Sequence, residues 1–105
     1  MPDGRPNVLL VVLDSVRARN CSCYGHRRDT TPFLESLAAE STLYTQARAP
    51  SNWSLPSHVS LFTGVEAHAH RVTTHDRLKP GNTVFDALAD RGYRTGLFTE
   101  NGFVA

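Results

Sequence analysis

The sequence predicts an α/β domain, the amino-terminal portion of a mostly parallel sheet flanked by helices and incomplete within these 105 residues. Three observations predict it. Asn7 to Leu13, "NVLLVVL", is an unbroken β-branched and leucine run of strand length, apolar on both faces as a central, doubly covered strand must be. Helical patterns with start and stop signals alternate with strand-like pieces along the rest of the chain. The strand-like pieces are few, and a sheet of two or three strands leaves its edges and faces uncovered. Residues 1–105 therefore read as one partial domain, the start of a larger fold.

After the first strand, Asp14 stops the apolar run abruptly, at the strand tip where open α/β sheets collect ligands. Thr31-Pro32 opens a helix over "TPFLESLAAES": a hydroxyl residue precedes proline at the first helical position, and Phe33, Leu34, Leu37 and Ala38 share one face. Thr42 to Ala47, "TLYTQA", is a short strand-like piece. Pro56 to Thr63 forms a second helix stopped by Gly64, with Ser54 or Leu55 at its cap. Val65 to Pro80 is polar, contains three histidines and shows no period, so it reads as loop. Thr83 to Arg91 is a third helix ending at Gly92, and Tyr93 to Thr99 is another strand.

Composition excludes more than it assigns. Eleven basic and ten acidic side chains leave a net charge of +1, and only Arg27 and Arg28 are adjacent. That is no footprint for nucleic acid or an acidic membrane surface. The longest apolar run near the start, Val8 to Leu13, falls far below the roughly 20 residues that span a bilayer. It is also short for a signal-peptide core and lacks a cleavage site, so a cytoplasmic location with Cys21 and Cys23 reduced is expected. A Cys-x-Cys pair without two further ligands reads as packing rather than as a metal site.

The chemistry concentrates in "NWSLPSHVSLFTG", Asn52 to Gly64. A serine at a helix start sits beside unpaired backbone N–H groups and the positive end of the helix dipole. Those donors suit a phosphate or sulfate ester, which an activated serine could attack. The plain alternative is equally concrete, because serine is among the commonest helix caps. Asp14 offers a carboxylate to a metal ion that would activate such a serine, or it merely ends a strand. His68, His70 and His75 raise a zinc reading through the His-x-His pair, against solvated histidines in a polar loop. Arg17 pairs with a carboxylate, approaches an anion, or is an ordinary surface arginine.

Together, "PNVLLVVLDSVRARNCSCYGH", "TPFLESLAAESTLYTQARAP", "SLPSHVSLFTG", "HAHRV" and "TVFDALADRGYRTGLF" resemble the amino-terminal part of the sulfatase family, within the alkaline phosphatase superfamily. The resemblance covers Pro6 to about Phe98 and rests on ordered motifs rather than on one pattern. It implies an alkaline-phosphatase-like fold and hydrolysis of sulfate esters, carried on small molecules or glycans. Ser54, Pro56 and Ser57 match the first, third and fourth positions of the family's Cys/Ser-x-Pro/Ala-Ser-Arg signature. Ser54 would be the nucleophile, native or as formylglycine, and a ligand of a divalent cation. Calcium is the first expectation for that ion, with magnesium, manganese or zinc as alternatives. Asp14 matches the first aspartate ligand, and His58 reads either as an auxiliary catalytic group that donates to an ester oxygen or to Ser54, or simply as a surface residue.

Four departures shape the expectation. Ser15 stands where many sulfatases have a second metal-binding aspartate. His58 replaces the signature arginine, which the formylglycine-generating machinery reads, and this favours an unmodified Ser54. In "TENG", Glu100 and Gly102 replace a lysine and a histidine that normally contact sulfate. Later metal ligands of the family fall outside the sequence, so the chain alone is expected to be inactive. These differences keep phosphate ester hydrolysis, phospho-group transfer and a truncated, inactive sulfatase-like protein as alternatives.

Overall fold

A computed structural model of the chain describes residues 4–73 and 76–104. They divide into two compact units, Met1–Gln46 and Ala47–Ala105.

In the first unit, residues 7–13 run without helix or ladder, with Val8 to Leu13 between 45% and 87% exposed. A turn at Asp14 and Ser15 follows, with Ser15 at φ 59° in the left-handed region. Two short 3-10 turns, Ala18–Asn20 and Ser22–Tyr24, lead to helix α1, Pro32–Ala39. Thr31 is the residue before α1, as the proline signal predicts, but its hydroxyl does not cap the helix. Thr31 Oγ1 instead accepts from the Cys23 N–H at 3.3 Å and shares a 3.2 Å hydrogen bond with Ser22 Oγ. Ser22 Oγ also accepts from the Thr31 N–H at 2.9 Å and donates to Glu35 at 3.0 Å. This network ties the second 3-10 turn to the first turns of α1. Cys21 is the buried apolar residue of the unit, with its Sγ 3.5 Å from the Arg17 carbonyl, and both cysteines are free. That agrees with packing as the role of Cys21.

The second unit contains α2 (Ser54–Thr63), α3 (Ala67–His70) and α4 (Val84–Ala89). Helix α2 buries Pro56, Val59 and Ser60. Its end matches the sequence signal, since Gly64 takes a left-handed φ of 69° and its N–H bonds the Ser60 carbonyl at 2.8 Å. Helix α3 lies within the stretch expected to be loop. A single turn of four residues is too short to print a hydrophobic period, which is why the sequence did not reveal it. Helix α4 opens with a capping box. Thr83 Oγ1 accepts from the Asp86 N–H at 3.3 Å, while the Asp86 carboxylate accepts from the Thr83 N–H at 2.9 Å. Phe62 of α2 meets Phe85 of α4 edge-on, with ring centroids 5.1 Å apart.

The expected sheet is not formed among the described residues. Residues 7–13, 42–47 and 93–99 carry no strand or bridge. A strand is stabilised by a neighbour that takes its N–H and C=O groups, and an apolar run is stabilised by layers covering its faces. Neither exists for Val8 to Leu13 here, which the high exposure of those residues shows directly.

Candidate functional site

Helix α2 starts earlier than its sequence signals suggest. Trp53 is the cap, with extended backbone at φ −150° and ψ 168°, and Ser54 is the first helical residue. Neither Ser54 nor Leu55 is therefore the cap. Pro56 takes the third position, which it fits because the N–H groups of a first turn have no intrahelical acceptor. The signature-like triplet Ser54, Pro56 and Ser57 thus occupies one turn, at the positive end of the helix dipole. Ser54 is half-buried. Ser57 Oγ donates to the Ser51 carbonyl at 3.0 Å and fastens the incoming chain to this turn.

His58 lies one turn further on. Its Nδ1 is 2.8 Å from the Ser54 carbonyl oxygen. A carbonyl only accepts, so Nδ1 carries the hydrogen, leaving Nε2 as the ring's other polar atom. His58 thus donates to the backbone of Ser54 and not to its hydroxyl. The ring also meets Phe62 at 5.8 Å between centroids.

The "TENG" stretch reaches the same end of α2. Trp53 and Phe103 pack edge-on at 5.6 Å and 81°. Phe103 is held in turn by its N–H, which bonds the Asn101 side chain at 2.9 Å. Gly102, Phe103 and Val104 join Leu55, His58, Val59, Phe62 and residues 76–78 around a cleft of about 550 Å³. Two regions singled out in the sequence, the Ser54 turn and the Glu100–Gly102 stretch, are therefore neighbours. Asp14 belongs to the first unit, where Ser15 Oγ approaches its carboxylate at 3.4 Å. Arg17 lies in that unit too, before the first 3-10 turn, where its carbonyl accepts from the Asn20 N–H.

The histidines after α2 do not form a chelating pair. His68 is exposed and lies 3.5 Å from Glu66. His70 Nδ1 accepts from the Val72 N–H at 2.9 Å, and its Nε2 lies 3.1 Å from Ser60 Oγ. Both nitrogens of His70 are thus engaged by protein, in a half-buried position rather than a solvated one. His75 lies outside the described residues. The sequence offered no signal for the Ser60–His70 pair, because no helical or strand spacing joins positions ten apart.

Comparison with known proteins settles the family. The family model described as Sulfatase matches residues 6–104. The chain belongs to the sulfatase family. Relatives of this sulfatase segment include an N-acetylgalactosamine-6-O-sulfatase of Bacteroides thetaiotaomicron, 31% identical over 103 residues and matched over 89% of this chain and 20% of the relative. Human arylsulfatase A is 32% identical over 106 residues, covering 88% of this chain and 20% of the relative. Rat steryl-sulfatase is 32% identical over 109 residues, covering 91% and 19%. The sulfatase segment therefore spans about a fifth of the length of the curated relatives it matches. No solved structure matches it.

Membership implies an alkaline-phosphatase-like α/β fold, of which the described residues show helices and no ladder. The family is generally dependent on a divalent metal. The donor set here does not fit such an ion on its own. Asp14 and Ser54 are two oxygen donors, whereas calcium takes roughly six to eight. Among the described residues, no group of three or more His, Cys, Asp or Glu side chains could hold a metal. Among them, too, no helix is long and apolar enough to cross a membrane.

Proposed function

We propose that the segment carries the nucleophile of a hydrolase acting on sulfate esters of small molecules or glycans, and that Ser54 is that nucleophile in its unmodified form. The reading is supported by the place of Ser54 as first residue of α2, with Pro56 and Ser57 in the same turn, inside a region matched to the sulfatase family. The named relatives are sulfatases acting on N-acetylgalactosamine-6-O-sulfate, aryl sulfate and steryl sulfate, and they supply the substrate class.

The chemistry follows from the position. Ser54 Oγ attacks sulfur and loses its proton, the bond from sulfur to the ester oxygen breaks, and the alcohol departs with a proton. Water then cleaves the sulfuryl-serine, which restores the Ser54 hydroxyl and releases sulfate. The dipole at the start of α2 stabilises negative charge on the transferring group throughout. His58 is the auxiliary polar group: Nδ1–H is committed to the Ser54 carbonyl, so Nε2 accepts in the neutral ring and donates to an ester oxygen only in the imidazolium form. Asp14 and Ser54 would each offer one oxygen ligand to the divalent cation on which the family generally depends.

Phosphate ester hydrolysis or phospho-group transfer is the second reading, favoured by Glu100 and Gly102 at positions where sulfatases often carry lysine and histidine. The full-length protein should be assayed on an aryl sulfate and an aryl phosphate in parallel, and its Ser54-bearing peptide weighed. Turnover of the sulfate with the peptide at its encoded mass supports the proposal. A peptide lighter by two hydrogens replaces native serine with formylglycine, and preference for the phosphate supports the second reading. Inactivity on both leaves the truncated, inactive protein as the better account.

A further inference from the structure

We infer that His70 is an acid-opened latch between α2 and the segment that follows α3. The inference rests on geometry independent of Ser54. The Val72 N–H is a donor, so His70 Nδ1 must be the unprotonated acceptor in their 2.9 Å bond. The ring hydrogen then resides on Nε2, which donates to Ser60 Oγ at 3.1 Å. One neutral tautomer satisfies both partners, and the imidazolium cannot, because a hydrogen on Nδ1 would face the hydrogen of Val72.

The latch joins buried positions. Ser60 lies 9% exposed on α2, and Val72 is 6% exposed. Val59, next to Ser60, is 4% exposed, so the bond closes over the apolar centre of the second unit. Of titratable side chains, helix α2 contributes His58 alone, whose Nδ1 is bound to Ser54. Around α3, Glu66 is turned to His68, and Arg71 takes the left-handed conformation at the helix end. Beyond Val72, Asp76 accepts from Thr73 at 3.4 Å. Helix α4, which packs on α2, carries Asp86 within its capping box, with Asp90 at its end. No ion pair reaches His70 among the described residues.

A hydrogen added at Nδ1 in acid therefore breaks the Val72 bond, freeing the Val72 end of the link while Nε2–H can still be donated to Ser60. The bond is of the same form as an Asx turn, in which a side-chain acceptor takes the N–H two residues on. Asparagine at position 70 thus keeps the acceptor but cannot titrate.

The test is amide hydrogen exchange at Val72 in the full-length protein, expressed as protection relative to the unstructured rate at each pH, with the ring tautomer of His70 read by nitrogen NMR. Protection should fall about tenfold from pH 7.5 to pH 5, as loss of one hydrogen bond of ordinary net strength implies. The wild-type ring should show hydrogen on Nε2 at the higher pH, and H70N should hold its protection across the range. Protection that is constant with pH in the wild type, a hydrogen on Nδ1 at pH 7.5, or an equal fall in H70N would overturn the latch. The wild-type measurements decide the matter even if the variant fails to fold. Loss of Ser54-dependent activity would not bear on it.

Discussion

His58 Nδ1 donates to the carbonyl of Ser54 at 2.8 Å, so the residue in the place of the signature arginine holds the first turn of α2 by its backbone. Replacing His58 with alanine removes that bond and the contact with Phe62. A net cost of about 1 kcal/mol is expected from a hydrogen bond of this kind. Thermal unfolding of the full-length H58A protein measures it, and an unchanged midpoint would mean the bond contributes nothing in solution.

Thr83→Ala removes the hydroxyl half of the α4 capping box and should cost about 1 kcal/mol. The same box carries a pH signature. The Thr83 hydroxyl, and then the Thr83 N–H, hold the Asp86 carboxyl below its usual range. A carboxyl depressed on folding adds stability above its unfolded pKa, and that stability is lost as pH falls through the folded value. Urea unfolding from pH 7 downward should therefore show an acid loss in the wild type that is smaller in T83A. Parallel pH curves for the two proteins would contradict the assignment.

Gly64 closes α2 at φ 69°, where a side chain is strained although nothing obstructs the space around it. Gly64→Ala should destabilise by about 1 kcal/mol through backbone strain alone. Equilibrium unfolding of G64A checks it, and Gly64→Asn should recover part of the loss because asparagine tolerates the left-handed region.

Val8 to Leu13 form an exposed apolar run with no ladder partner among the described residues. The 105-residue chain expressed alone should therefore bind an apolar dye and associate, and Leu9→Lys, at the 87% exposed position, should reduce both. Light scattering of the two chains gives the comparison. Equal monomer content in both would show that the run is covered in solution.

What the sequence made legible follows from how local each signal is. Thr31-Pro32, Gly64 and the Thr83–Asp86 spacing act within a turn of chain, and α1, α2 and α4 appear where they point. The strands depend on distant partners, so "NVLLVVL" showed what the run requires and not whether the requirement is met. The register of α2 slipped because Pro56 is acceptable anywhere in a first turn, which moved Ser54 from cap to first helical residue. At the site, Ser54, His58 and the "TENG" stretch were visible as motifs, and the Trp53–Phe103 contact adds their proximity. The Ser60–His70 bond was invisible because it is set by the turn at Gly64 and the short helix α3 together.

The most direct test of Ser54 as nucleophile is the kcat/KM of full-length Ser54→Ala on an aryl sulfate, with its fold verified against the wild type by circular dichroism. Removing the attacking atom should lower kcat/KM by roughly a thousandfold or more. A folded S54A protein that hydrolyses the sulfate at the wild-type rate would contradict the assignment.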